Sequence, residues 1–351
     1  MSLTAAARPD ARIGVTVLTG FLGSGKTTLL NRMLRDPRYA QAAVVINEFG
    51  SIGVDHHLVR HVSDTVRVVA GGCICCVVRG GLVDTLRDLF LLALRRAIPP
   101  FRQVLIETSG LASPAPILFT LRHEPFLAER YVYNGTIAVA DAQRVAAQIA
   151  GEPEAAQQLA LADEVAISKT DLATAAGLGA ARQAVLQVNP TARIHVLDLD
   201  GALPDGLLAE RLYRGGRPAV AVAGGAWLAR HGGNSRRQGG AMSSQTAHDV
   251  AVTTLALPPA VPRGAFVSGL SALQGELGQS LLRMKGLVGF AGDAAPSAVH
   301  GVHDQLYPIV ALPGWPEGRE DARLVFIARG IGAADLETLV RRHLATGIFL
   351  L

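Results

Sequence analysis

The sequence predicts an α/β protein, a mostly parallel sheet with helices on both faces, followed by a smaller C-terminal α+β domain. Three observations predict it. Short apolar runs alternate with amphipathic stretches of helical period from Ile13 to Leu197, the pattern of parallel strands joined by crossover helices. A Gly/Ser-rich stretch from His231 to Thr246 then runs without periodicity, as a flexible linker does. Beyond it, strand-like and helix-like segments resume in a shorter block. The 351 residues suit two domains at about 150 residues each.

In order, the expected elements are a strand from Ile13, a glycine turn and a helix from Lys26. Strands Ala43–Ile46 and Val66–Val69, helix Leu82–Arg96, and strands Gln103–Ile106 and Thr136–Ala140 follow. Helix Pro153–Ala162, strand Glu164–Ile167, helix Ala175–Val188 and strand Arg193–Leu197 complete the first part. After the linker come strand-and-helix segments Val250–Leu257, Phe266–Leu277, Leu281–Lys285, Leu306–Ala311 and Arg323–Ala328, closed by helix Ala334–Leu344. The expected organisation is a first domain over 1–225, a linker over 226–248 and a second domain over 249–351. No internal repeat is present.

Composition excludes several classes. Hydrophobic residues make up 49% and charged residues 18%, which rules out a disordered or collagen-like chain. The net charge of +4 is spread along the chain and aromatics are 5%, so no stacking platform or basic stripe for nucleic acid is expected. The opening MSLTAAARPDAR lacks the apolar core of a signal peptide. Apolar runs such as Leu89 to Leu94 are far too short to span a bilayer, so a cytoplasmic protein without a membrane partner is expected. All 3 cysteines fall in Cys73-Ile74-Cys75-Cys76, an odd count packed too tightly for a stapling framework and suited to a reducing compartment.

Gly20-Phe-Leu-Gly23-Ser24-Gly25-Lys26-Thr27 is the phosphate-loop pattern, and it stands between a strand and a helix as the mechanism requires. Its glycines let backbone amides converge on an anion at the helix N-terminus. Lys26 reaches the outer phosphates, Thr27 offers its hydroxyl to magnesium, and Thr28 follows in the first turn. The first domain is therefore expected to be a P-loop NTPase. Glu107-Thr-Ser-Gly110 ends the strand Gln103–Ile106, where ligands of a parallel sheet gather. Glu107 is the natural acidic partner of magnesium, and the Gly110 amide is placed for a γ-phosphate contact. Ser168-Lys169-Thr170-Asp171 ends another strand and approximates Asn-Lys-x-Asp, in which the carboxylate accepts from guanine N1–H and the 2-amino group. Asp171 thus argues for GTP, Lys169 lies along the base, and Ser168 is a shorter substitute for Asn. Asn189, before the next strand, is a candidate to edge the base.

Three thiols in four residues, followed by Arg79 and a helix start near Gly81, form a soft-metal site in which the cation and helix end favour thiolate. Cys73, Cys75 and Cys76 supply three ligands, one short of a closed zinc site. Glu48 and Asp55 lie between the phosphate loop and this cluster, where a switch senses γ-phosphate. Asp55 is a candidate to orient water or help hold magnesium, and Glu48 to reach either metal. His57 and His61, one helical turn apart, are either ligands or solvated side chains.

Together, TGFLGSGKTTLL, VVINEFGSIGVD, GGCICCVVRGGL, LIETSGLASP and SKTDL, with LRMKG and VHGVH after the linker, resemble the CobW-type family of metallochaperone P-loop GTPases of the SIMIBI class. The resemblance implies slow GTP hydrolysis coupled to carrying zinc, with cobalt or another transition metal in particular members, to a client metalloprotein. It also implies a GTPase domain that commonly forms homodimers and a CobW-type C-terminal domain holding His300 and His303. Ser51 stands where the family often has a second glutamate, and Gly81 where an aspartate is usual. The linker region holds only His231 and His248 where many members carry a histidine tract. The alternatives are a metal buffer or sensor in which nucleotide stabilises the fold, and a phosphoryl-transfer kinase with a zinc knuckle.

Overall fold

The computed structural model describes residues 12–47, 59–61, 66–69, 74–77, 81–199, 201–207, 250–303, 305–315 and 322–345, with the backbone alone at 47, 59–61, 66–69, 74–77, 305 and 345. The expected linker at 226–248, and Glu48, Asp55, His57 and Cys73, lie outside these residues. The chain divides into two compact units, Met1–Ala146 with Ala162–Arg182 and Ile194–Arg214, and Ala147–Leu161 with Gln183–Arg193 and Gly215–Leu351. Residues 147–161 and 183–193, expected in the first domain, therefore group with the second unit.

The first sheet has nine strands, β1 (Ile13–Thr19), β2 (Ala42–Asn47), β3 (Val59–His61), β4 (Val66–Val69), β5 (Ile74–Val77), β6 (Gln103–Thr108), β7 (Tyr131–Asp141), β8 (Glu164–Ser168) and β9 (Arg193–Val196). Their order is β3-β4-β5-β2-β6-β1-β7-β8-β9. From β5 to β8 every pairing is parallel, and β3 and β4 add an antiparallel edge. Such strands are covered on both faces, and β7 and β8 are accordingly buried along their whole length. Helices α1 (Lys26–Arg35), α2 (Leu82–Leu94), α3 (Ala115–His123), α4 (Pro125–Arg130), α5 (Val145–Gly151), α6 (Pro153–Leu161) and α7 (Ala175–Val188) occupy the crossovers. Apolar side chains of α1, namely Leu29, Leu30 and Met33, are buried, while Arg32 and Arg35 in its last turn favour the negative end of the helix dipole.

Among the elements that differ from expectation, two do so for reasons visible in the strand pairing. β7 begins five residues earlier than the expected Thr136, because Val15 pairs with Tyr133 and Thr16 with Gly135, leaving Asn134 as a bulge. Its amide donates to Thr16 Oγ1 at 3.2 Å, so a turn-like residue sits inside a buried strand. The Cys-x-Cys-Cys segment contains a strand, in which Cys75 pairs with Val44 and Cys76 with Val45.

After β9, the chain is strapped back onto α1 and its C-terminal turn. Arg32 donates to the Gly201 carbonyl at 2.7 Å, Arg38 to Leu203, Pro204 and Asp205, and the Tyr39 hydroxyl to Leu207. Arg38 also holds Asp36 at 2.7 Å, which lowers the Asp36 carboxyl below its ordinary pKa.

The second unit contains a six-stranded antiparallel sheet of β10 (Val250–Ala256), β11 (Leu281–Val288), β12 (Ser297–Val302), β13 (Gln305–Leu306), β14 (Val310–Ala311) and β15 (Arg323–Arg329). Helices α8 (Arg263–Leu277) and α9 (Ala333–Val340) contribute Phe266, Leu270, Leu273, Leu336 and Val340 to one core with Met284, Leu324 and Phe326 of the sheet. Gly286 is required where β11 meets β15, since a Cβ there would stand 1.9 Å from the Arg323 carbonyl oxygen. Within this unit Arg283, 1% exposed, donates to the Leu161 carbonyl at 2.8 Å, and the Asn189 amide donates to Leu159 at 2.8 Å and Ala160 at 3.3 Å. The last carbonyls of α6 are thus closed by two side chains, one from beyond α7 and one from β11.

Candidate nucleotide and metal site

The centre of the first sheet fixes the phosphate loop. β1 lies between β6 and β7 in parallel register, Leu18 beside Glu107 and Thr19 beside Ala138, so the loop leaves the sheet between two strand ends. Gly20 has φ 141°, and a Cβ there would sit 2.4 Å from the Val139 carbonyl oxygen, so no other residue fits. Gly25 caps α1 in the left-handed region at φ 96°, which turns the following amides toward the loop.

Lys26 is buried and its ammonium folds over the loop, donating to the Phe21 carbonyl at 3.3 Å. Thr27 Oγ1 donates to Glu107 Oε1 at 2.7 Å, across 80 residues of sequence. Glu107 is 1% exposed, whereas Thr27 and Thr28 open to solvent on the first turn of α1. A buried carboxylate beside an exposed hydroxyl at the mouth of an anion nest is an oxygen donor pair of the kind magnesium takes. Gly110 packs against the loop, since a Cβ there would meet Leu22 at 2.5 Å.

Behind the loop stands the end of β8. Ser168 Oγ lies 2.6 Å from the Ser24 carbonyl oxygen and 3.2 Å from that of Ala140, tethering the loop to the Ser168–Asp171 segment. Lys169 has φ 55° and begins a short 3-10 turn, Thr170–Leu172. Thr170 Oγ1 donates to the Leu197 carbonyl at 2.7 Å, which leaves Asp171 projecting into solvent. Gly20, Gly23, Ser24, Gly25, Lys26, Thr27, Thr28, Glu107, Gly110, Ser168, Lys169 and Asp171 therefore share the carboxyl-end side of the sheet. Asn189 is a correction. Its side chain is fully buried, its amide holds the end of α6 and its Oδ1 accepts from Thr191, so it serves packing and offers no edge to a base.

The residues expected to hold a metal are placed less completely. Cys75 and Cys76 are successive residues of β5, whose partner β2 pairs on its other side with β6, the strand of Glu107. Among the described residues no group of three or more His, Cys, Asp and Glu side chains is arranged to hold a metal ion. His61 lies in β3. His300 is buried in β12 with its ring 4.9 Å from that of Tyr307, and His303 is buried in the turn that follows. Asp141, absent from the sequence expectations, accepts from Lys169 Nζ at 2.7 Å.

Comparison with known proteins decides the family. The model of the CobW/HypB/UreG nucleotide-binding domain matches residues 14–196, and that of the cobalamin synthesis protein cobW C-terminal domain matches residues 250–344. The chain belongs to the CobW/HypB/UreG family. It is similar to the zinc chaperone YjiA of Escherichia coli, 39% identical over 161 residues covering 46% of this chain and 50% of that protein. It is also similar to the zinc chaperone CobW of Pseudomonas aeruginosa, 34% identical over 244 residues, covering 59% and 64% respectively. The chain thus spans half to nearly two thirds of these curated relatives. The crystal structure of Zn(II)-bound YjiA GTPase from E. coli superposes with a TM-score of 0.71 at 26% identity, covering 95% of this chain and 99% of that one. The CobW-type architecture, a parallel-sheet nucleotide domain with a smaller antiparallel-sheet domain, is therefore that of this chain. Among the described residues no helix is long and apolar enough to cross a membrane.

Proposed function

We propose that this chain is a GTP-hydrolysing metallochaperone that carries a transition metal, zinc first and cobalt as the alternative, on Cys73, Cys75 and Cys76 to a client metalloprotein. The observation that carries the reading is the Thr27–Glu107 contact at 2.7 Å beneath the phosphate loop, in a chain that is similar to zinc chaperones. Lys26 brings a point charge to the outer phosphates, and the backbone amides after Gly25 receive the anion. Thr27 and Glu107 would hold magnesium, which supplies charge neutralisation across the β- and γ-phosphates when bound. Asp171 would accept from the guanine edge, with Asp55 the candidate to orient water and Glu48 the candidate further ligand of the metal. Three thiolates leave a fourth position for exchange, as delivery requires.

Zinc titration of the reduced protein with GTP, with GDP and without nucleotide tests this reading. Nucleotide and metal sites joined through β5, β2 and β6 should be linked reciprocally, giving a zinc affinity that differs about fivefold or more between the GTP and GDP states. Replacing the three cysteines with serine should remove tight zinc binding and zinc-responsive turnover while leaving basal hydrolysis and the melting temperature. Equal zinc affinity in all three states would overturn gating, and collapse of the wild-type fold on chelation would indicate a structural site instead.

A further inference from the structure

At the carboxyl end of β7, the Asp141 carboxylate is 2% exposed and accepts from Lys169 Nζ through Oδ2 at 2.7 Å. Its Oδ1 accepts from the Gln143 backbone N–H at 2.9 Å. Two neighbours extend the grip, for the Ala142 N–H donates to the Ser168 carbonyl at 3.0 Å and Gln143 Nε2 to the Leu172 carbonyl at 2.6 Å. Asp141-Ala142-Gln143 thereby holds Lys169, Ser168 and Leu172 in turn. Lys169 is fixed at both ends, its backbone in the left-handed region and its ammonium on a buried carboxylate. Its side chain remains 34% exposed, so the immobilised stem stands at the surface two residues before the exposed Asp171. Removing one partner of such a pair strands a charge, whereas the intact pair adds little stability of its own, so orientation is its natural role.

The neighbouring substitution gives that role weight. A serine hydroxyl has one hydrogen to donate, and that of Ser168 faces the Ser24 and Ala140 carbonyls. An asparagine amide would have a second donor to spare, and Ser168 has none. We propose that Asp141 is a positioning residue of the guanine site, holding Lys169 so that its stem forms a preset wall for the purine ring while Asp171 takes the base edge. This rests on the GTP reading above. A lysine held before the ligand arrives loses less rotamer freedom on binding, so the gain appears in affinity rather than in the chemical step.

The test is binding of GDP and ATP, with magnesium, to the full-length wild type, Asp141→Asn, Asp141→Glu, Lys169→Met and the Asp141→Asn/Lys169→Met double variant, beside thermal melts and GTP turnover. An amide at 141 satisfies one of its two donors and turns an NH2 toward the other. Asp141→Asn should weaken GDP about tenfold and keep kcat within about twofold, and Asp141→Glu should recover part of the loss. The double variant should bind GDP no worse than Lys169→Met, because both changes act through the same side chain. A folded Asp141→Asn with wild-type GDP affinity, or losses that add in the double variant, would overturn the proposal. If Asp141→Asn does not fold, the double variant, which strands no charge, carries the comparison with Lys169→Met. A wild type that prefers ATP would sink the GTP reading instead, while the coupling of 141 to 169 is read out with whichever nucleotide binds.

Discussion

Gly110→Ala isolates the packing of the phosphate loop from its chemistry. A Cβ at 110 would lie 2.5 Å from Leu22 Cδ2, 2.8 Å from Cγ and 2.9 Å from Cα. The first two belong to a side chain that is 53% exposed and free to turn away. The third is backbone, and relieving it to an ordinary carbon contact of about 3.5 Å requires the loop to shift by about 0.6 Å. Overpacking of this kind costs about 1–3 kcal/mol. The lower half of that range applies, because the outer side of the loop is solvent. If the cost falls on the nucleotide-bound geometry, KM for GTP rises about 5- to 30-fold, at roughly 1.4 kcal/mol per factor of ten. Steady-state hydrolysis with a thermal melt measures both quantities. Gly179→Ala is the control, an exposed position in α7 with no atom within 4 Å of the added carbon, where stability should rise by up to about 1 kcal/mol and KM stay put. A Gly110→Ala protein with wild-type KM and melting temperature would refute the loop-packing argument.

Lys26→Ala should reduce hydrolysis at least about a hundredfold by removing the charge proposed to meet the outer phosphates, with zinc binding far less affected, as a phosphate-release assay beside metal titration would show. Asp171→Asn presents a donor where guanine requires acceptors, so competition of ATP against GTP should show discrimination falling about tenfold or more. Gly286→Ala forces a carbon to within 1.9 Å of the Arg323 oxygen across the β11–β15 pair, and should lower stability by about 2 kcal/mol or more in denaturant melts.

The strand, glycine loop and helix around Gly20–Thr27 were legible because their geometry is written in local spacing. A Gly-x4-Gly-Lys-Thr run between strand and helix leaves the backbone few choices, and Glu107 announced itself by ending an apolar strand. Residues whose role depends on distant partners were not legible. Asp141 meets Lys169 across 28 positions, and only the parallel pairing of β7 with β8 brings them together. Asn189-Pro190 reads as a loop edge, yet its amide turns inward to α6. Polar residues masked buried strands twice, since Asn134-Gly135 is a bulge within β7 and Ser297–Val302, with a glycine and a histidine, forms fully buried β12. β5 was hidden beneath the cysteine cluster, two of whose members it carries.

The closure of α6 has a consequence during synthesis. α6 and Arg283, which closes it, are 122 residues apart, a gap that takes the ribosome about 6–24 s at roughly 5–20 residues per second. Through that interval α6 has been made without the β11 strand it packs beside, although β1, β2, β6, β7 and β8 are already available to pair. The Leu161 carbonyl thus waits for its buried partner through that interval, a time window in which slowing translation or withholding a holdase chaperone should raise aggregation of this chain.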